Sequence, residues 1–261
     1  MIFGWLKRRR RGRILAEEFP SGWLLYLQQN VAAYERLEPE AQARLQGLVQ
    51  VFVAEKAWEG CGGFELSDEA KVTIAGQACL LLLGIEHDYY RNLQTVIVYP
   101  SGFSAPGRSS LGGGVVAEGP QARLGEAHHR GPVVLAWDAV RHGGRNPDDG
   151  RNLVLHEFAH KLDLLDGLAD GTPLLPAGRR FREWVEVMTR EYQALCDKAD
   201  RGRATVLDHY GATNAPEFFA VATEAFFEKP LQLQRKHEAL YGVLRDFYRQ
   251  DPAARAVVAA A

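Results

Sequence analysis

The five residues His156-Glu157-Phe158-Ala159-His160 constrain this chain more than any other stretch. On a helix, side chains four positions apart share one face, so both imidazoles can reach a single ion. Glu157 is rotated by about 100° from His156, which turns it away from the ion and toward a water held there. Zinc lowers the pKa of such a water to about 7, and a carboxylate can take its proton as it attacks a carbonyl. Leu153, Val154 and Leu155 lead into the motif. The helix is therefore expected to be buried, and a buried ionisable cluster needs a partner.

Two imidazoles are too few, because a catalytic zinc takes three protein ligands and keeps one position open. The motif does not continue as HExxHxxGxxH: Asp163 and Asp166 stand where that pattern has Gly and His, which excludes a third histidine of that kind. The missing ligand is expected on a later helix. Glu183, Glu186, Glu191, Glu217, Glu224 and Glu228 are carboxylate candidates, and His209 is an imidazole rival. Spacing alone does not choose among them. Glu217 begins an apolar run over 217–222, where a carboxylate would be partly buried and would need compensation. An acid in a first helical turn is also favourable on electrostatic grounds alone. Glu224, two turns later, is the best alternative ligand or else a group that orients one. Asp163, one turn after His160, can orient a ligand imidazole in the same way.

The first third reads as helical. Leu45, Leu48, Val49, Phe52 and Val53 fall on one face after Pro39, which suits a first turn. Gly60, Gly62 and Gly63 interrupt, and Ser67 can cap a helix with Asp68 and Glu69 in its first turn. Thr95 to Tyr99 is rich in β-formers and stops at Pro100, and Val133 to Trp137 reads as a second strand. The second strand is a candidate edge that could hold an extended peptide. Between them, Gly107 to Gly119 reads as a flexible loop without the ending of a phosphate loop. A turn is expected around Gly143-Gly144. A helix from about Gly178 would bury Phe181, Trp184, Val185, Met188, Tyr192 and Leu195. Asn214-Ala215-Pro216 is a strong helix start, and a last helix holds Leu240, Leu244 and Phe247.

Composition removes some classes. A net charge of −2 over 261 residues does not suggest direct nucleic-acid binding. Cys61, Cys79 and Cys196 are widely spaced and odd in number, which argues against a disulfide framework and for reduced thiols in the cytoplasm. Met1 to Leu6 is too short to span a bilayer, and no later segment reaches that length. The basic run Lys7 to Arg13 follows the apolar stretch, the reverse of a signal peptide, and reads as a solvated terminus.

The motif with its extension to Lys161-Leu162-Asp163, and the segment Tyr210 to Val221, resemble the Mlc titration factor A family of bacterial proteins. Val72 to Leu83, Val98-Tyr99-Pro100 and Gly131 to Trp137 also look like segments of that family, so the resemblance spans about residues 15–252. The catalytic domain of anthrax lethal factor is similar in having a tyrosine seven residues before a ligand glutamate, as Tyr210 stands before Glu217. The resemblance implies an α+β, zincin-like (gluzincin) fold, mostly helical with a small sheet and an active-site helix. It implies one zinc per chain on His156, His160 and Glu217, with Glu157 as general base and Tyr210 as donor to the oxyanion. It further implies aminopeptidase-like hydrolysis of peptide substrates and binding to a transcription repressor of the Mlc type, which governs glucose phosphotransferase genes. A repressor-sequestering protein with secondary peptidase activity is the rival reading. The expected divisions are a basic, flexible N-terminus over 1–14, a helical part over 15–90, a zincin catalytic part over 91–252 and a frayed tail over 253–261, together one compact unit.

Overall fold

The computed structural model describes residues 2–110, 116–123, 125–127, 131–175 and 178–258. The chain opens with α1 (Ile2–Ala16), α2 (Ser21–Asn30), α3 (Ala32–Glu35) and α4 (Pro39–Glu55). Pro39 sits in the first turn of α4, where its missing N–H is not needed. A short strand, β1 (Ala57–Gly60), follows, where the glycines suggested only a break. Next comes α5 (Asp68–Leu80), whose Ser67 side chain accepts from Ala70 N at 3.2 Å. The basic run lies on α1. Arg11 donates two hydrogen bonds to the Glu55 carboxylate, at 2.7 and 2.8 Å, and a third to Asp88 at 2.6 Å, while Arg8, Arg9 and Arg10 are exposed.

The middle of the chain supplies β2 (Thr95–Tyr99), β3 (Phe103–Ser110), β4 (Val116–Arg123), β5 (Gly125–Ala127) and β6 (Val133–Ala136). β3 and β4 pair antiparallel from Phe103↔Arg123 to Ser110↔Val116. Part of the stretch read as a loop over 107–119 is therefore strand, and residues 111–115 lie outside the described residues. The other four strands form one sheet in the order β1-β2-β6-β5. The first three run parallel, and β5 is antiparallel to β6 with Gly125 opposite Leu135. β6 is therefore an internal strand, buried at all four positions, and not the expected edge. Its run of four apolar residues suits a strand covered on both faces. Among the described residues the edge on that side is β5.

The rest is helical: α6 (Trp137–Arg145), α7 (Leu153–Asp163), α8 (Arg179–Asp200), a 3-10 turn over His209–Ala212, α9 (Ala215–Glu228), α10 (Pro230–Lys236), α11 (Glu238–Tyr248) and α12 (Pro252–Val258). Gly143 and Gly144 are inside α6 and make no turn. A Cβ on Gly144 would overlap the carbonyl oxygen of Asn30, so close packing against α2 explains that glycine. On α8, Trp184, Val187, Met188 and Leu195 are buried, whereas Phe181 and Val185 are each 41% exposed. The buried face is thus rotated toward Val187 from the one expected. The tail read as frayed from residue 253 enters α12, and Ala253 is buried there.

The protein is mostly helical with a small sheet, an α+β arrangement. One apolar cluster runs from Leu27 to Ala253. Phe158 of α7 lies at its centre, with ring centroids 5.7 Å from Phe52 and 4.8 Å from Tyr90. Tilted and edge contacts of this kind are favourable beyond the area they bury. Among the described residues no helix is long and apolar enough to cross a membrane.

Candidate metal centre

The site is built on two helices. α7 begins at Asn152, whose side chain accepts from Leu155 N at 3.0 Å and so satisfies one of the free N–H groups of the first turn. Helical periodicity then carries His156 and His160 to one face, with ring centroids 4.9 Å apart. α9 begins at Asn214, which accepts from Glu217 N at 2.9 Å, with Pro216 in the first turn. This cap fixes Glu217 at the start of α9, beside the two histidines.

His156 Nε2 lies 2.9 Å from Glu217 Oε2, His160 Nε2 lies 3.3 Å from the same oxygen, and the two Nε2 atoms are 3.2 Å apart. These three donor atoms form a group able to hold a metal ion. Ligands about 2.0–2.1 Å from a tetrahedral ion are held roughly 3.3–3.4 Å from one another; two of the separations match that spacing and the third is shorter. Of the other candidates, Glu191 bonds His237 at 2.7 Å, His209 Nε2 donates to Arg203 O at 2.9 Å, Glu183 and Glu186 are exposed, and Glu228 is buried away from the histidines.

Glu224 has a different place. Its Oε1 accepts from His156 Nδ1 at 2.7 Å, and its Oε2 accepts from Asn152 N at 2.6 Å. One carboxylate therefore joins the start of α7 to the imidazole one turn on. Glu224 thereby holds the Nδ1 side of the ring and leaves Nε2 turned toward Glu217 and His160. Asp163, expected to orient an imidazole, instead accepts from Gly171 N at 3.0 Å, and its Oδ1 is buried with no partner. Burial pushes its carboxyl up to about 6.

The electrostatics follow from burial set against pairing. Burial opposes the charged form of His156, but hydrogen bonds to Glu217 and Glu224 outweigh it and hold the imidazole well above its usual pKa. Burial likewise opposes ionisation of Glu217, yet His156 and His160 draw it down to about 2. Glu157 is 6% exposed, and burial pushes it up to about 7 despite the neighbouring imidazoles. A group near that value can both take and return a proton at neutral pH. Strand β5 passes directly over it: a Cβ on Gly125 would overlap the Glu157 carboxylate and Leu153. Tyr210, in the 3-10 turn, has its ring centroid 5.9 Å from that of His156 and is 55% exposed.

A family model described as glucose-regulated metallo-peptidase M90 matches residues 5–249. The chain belongs to this family. An uncharacterized protein of Synechocystis is 38% identical over 249 residues, covering 95% of this chain and 90% of the relative. Mlc titration factor A of Salmonella gallinarum is 32% identical over 228 residues, covering 86% and 85%. The protein of the same name from Salmonella typhimurium has the same identity and coverage. A metallopeptidase family implies a metal, and the paired histidines with Glu217 form the group that could hold it.

Reading the sequence overlooked Asn152 and Gly125. Asn152 carried a local signal, an Asn just before an apolar helical run. Gly125 carried none, because only the folded strand brings it against Glu157.

Proposed function

We propose that this member of the M90 family is a zinc peptidase of gluzincin type with a zincin-like fold. His156, His160 and Glu217 hold one zinc per chain, Glu157 is the general base and then acid, and Tyr210 donates to the oxyanion. The observation that carries the reading is the convergence of Glu217 Oε2 on both Nε2 atoms, from a helix 61 residues away in sequence from His156. Zinc, when bound, polarises the scissile carbonyl and acidifies a water. Glu157 takes a proton from the attacking water and returns it to the leaving amine. The phenol of Tyr210, next to His156, donates a hydrogen bond to the developing negative oxygen. β5, last in the sheet order among the described residues, passes against Glu157 at Gly125 and can align an extended peptide by main-chain hydrogen bonds.

An aminopeptidase-like preference and a cytoplasmic place rest on the family likeness and the cysteine usage described above. The name of the Salmonella relatives supports a link to a repressor of the Mlc type. In the alternative reading, repressor sequestration is the main task and hydrolysis is secondary. The test combines elemental analysis with a panel of short chromogenic peptides. The reading expects one zinc per chain, lost in His160→Ala and Glu217→Ala. It expects Glu157→Gln to keep zinc while hydrolysis falls by about 10²–10⁴-fold. Absence of any transition metal after zinc reconstitution, or full turnover by zinc-loaded Glu157→Gln, would overturn it. If Glu157→Gln still sequesters the repressor, that binding is independent of the chemistry.

A further inference from the structure

A second cavity lies apart from the metal centre. It has a volume of about 570 Å³ and is enclosed by the end of α7, α8 and α11, with none of His156, Glu157, His160 or Glu217 in its walls. The volume falls in the range of small-molecule sites. Leu162, Leu165, Trp184, Val187 and Val243 form an apolar interior.

Arg180, Arg245 and Arg249 line both the cavity and the smaller recess that adjoins it, where they outnumber the two acids. Glu86 and Glu183 reach the main cavity but not the recess. The two acids of the recess are already engaged. Asp246 lies 3.5 Å from Arg245, and Asp251 accepts from Tyr241 Oη at 2.6 Å and from Ala254 N at 3.0 Å. Arg180 and Arg249 have no ion pair among the described residues, and both are exposed. Exposed guanidiniums around a recess suit a planar carboxylate, which they can bind through paired N–H groups.

Gly242 completes the picture. It sits inside α11 and lines the cavity, and a Cβ built on it meets nothing within 4 Å. Glycine is a poor residue in a helix interior, and no packing demand explains it here. Its effect is to leave space open.

We propose that this cavity binds an amphiphilic carboxylate, with its apolar body between α8 and α11 and its head among Arg180, Arg245 and Arg249. The inference does not depend on the metal site. Calorimetry and tryptophan fluorescence with dodecanoate, kept below its micelle concentration, test it on the full chain, with dodecylammonium as the cationic control. Saturable binding of one dodecanoate per chain is expected, with no matching binding of the amine. Gly242→Leu should fill the cavity and abolish binding while circular dichroism and thermal unfolding stay at or above the parent values. Arg180→Gln combined with Arg249→Gly alters only exposed side chains, and glycine suits the left-handed backbone of residue 249 (φ 50°). That pair should weaken binding about tenfold or more. Absence of saturable binding, equal affinity for the amine, or unchanged binding in a folded Gly242→Leu would each overturn the proposal.

Discussion

Glu224 shows how much chemistry a single residue can carry without touching the proposed metal. It takes the Nδ1–H of His156 and the backbone N–H of Asn152 together. Glu224→Ala is expected to leave the imidazole free to rotate and to weaken zinc affinity by about 10–100-fold. Glu224→Gln should recover part of that loss, because its amide oxygen can still accept one of the two bonds. Competition against a chromogenic chelator measures both, and equal affinity in Glu224→Ala and the parent would remove the positioning role. His156, Glu157 and His160 were legible in the sequence because their relation is local and helical. Glu224 could be named only as ligand or orienting group, since the choice depends on which end of His156 it meets. Asp163 shows the converse: the same helical spacing suggested an imidazole partner, and the fold brought Gly171 instead.

At the scale of elements, α9 carries three carboxylates along one side, at 217, 224 and 228, in three environments. Glu217 meets imidazoles, and Glu224 meets an imidazole and an amide. Glu228 is 4% exposed, with both oxygens buried and no hydrogen bond of good geometry, although the Asn152 side chain lies close by. Burial, opposed by Asn152 and reinforced by Glu224 and Asp149, pushes Glu228 up to about 9. Its folded pKa is thus above its unfolded one, so the stability tied to the protonated acid is complete below about 4.5 and is lost as pH rises toward 9. Glu228→Gln mimics the protonated acid at every pH. Its advantage in urea unfolding should be near zero at pH 4.5 and grow to about 1–3 kcal/mol at pH 8. A constant difference across that range would contradict the assignment. Helix starts such as Asn214-Ala215-Pro216 were readable, because capping is decided by a few neighbouring residues. Strand order was not. Val133 to Ala136 looks alike as an edge or an interior strand, and the three-residue β5 that makes it interior has no pattern of its own.

Across the whole molecule, the N-terminal helices meet the site helix through one aromatic group, Phe52, Tyr90 and Phe158. Phe158 is fully buried between the two histidines of the motif in sequence. Phe158→Ala should cost about 3–5 kcal/mol of stability, read as a lower urea midpoint with an unchanged slope. It should also weaken zinc binding, because α7 loses its seat. A loss under 1 kcal/mol, small for a buried aromatic, would show that the N-terminal part and the site helix are not joined there. Amphipathic periodicity revealed that such a core exists, but not that residues 52, 90 and 158 meet, since that depends on long-range packing. The distance along the chain between the two helices of the centre has a consequence for the order of events in a cell. Glu217 is added to the growing chain 57 residues after His160, which at roughly 5–20 residues per second is a delay of about 3–11 s. During that interval an emerging chain has the two imidazoles and the base but no third donor, and α9 does not yet exist to seat them. The hydrolytic centre proposed here can arise only once α9 has been made, so a chain cut short before residue 217 carries both imidazoles and the base but no complete centre.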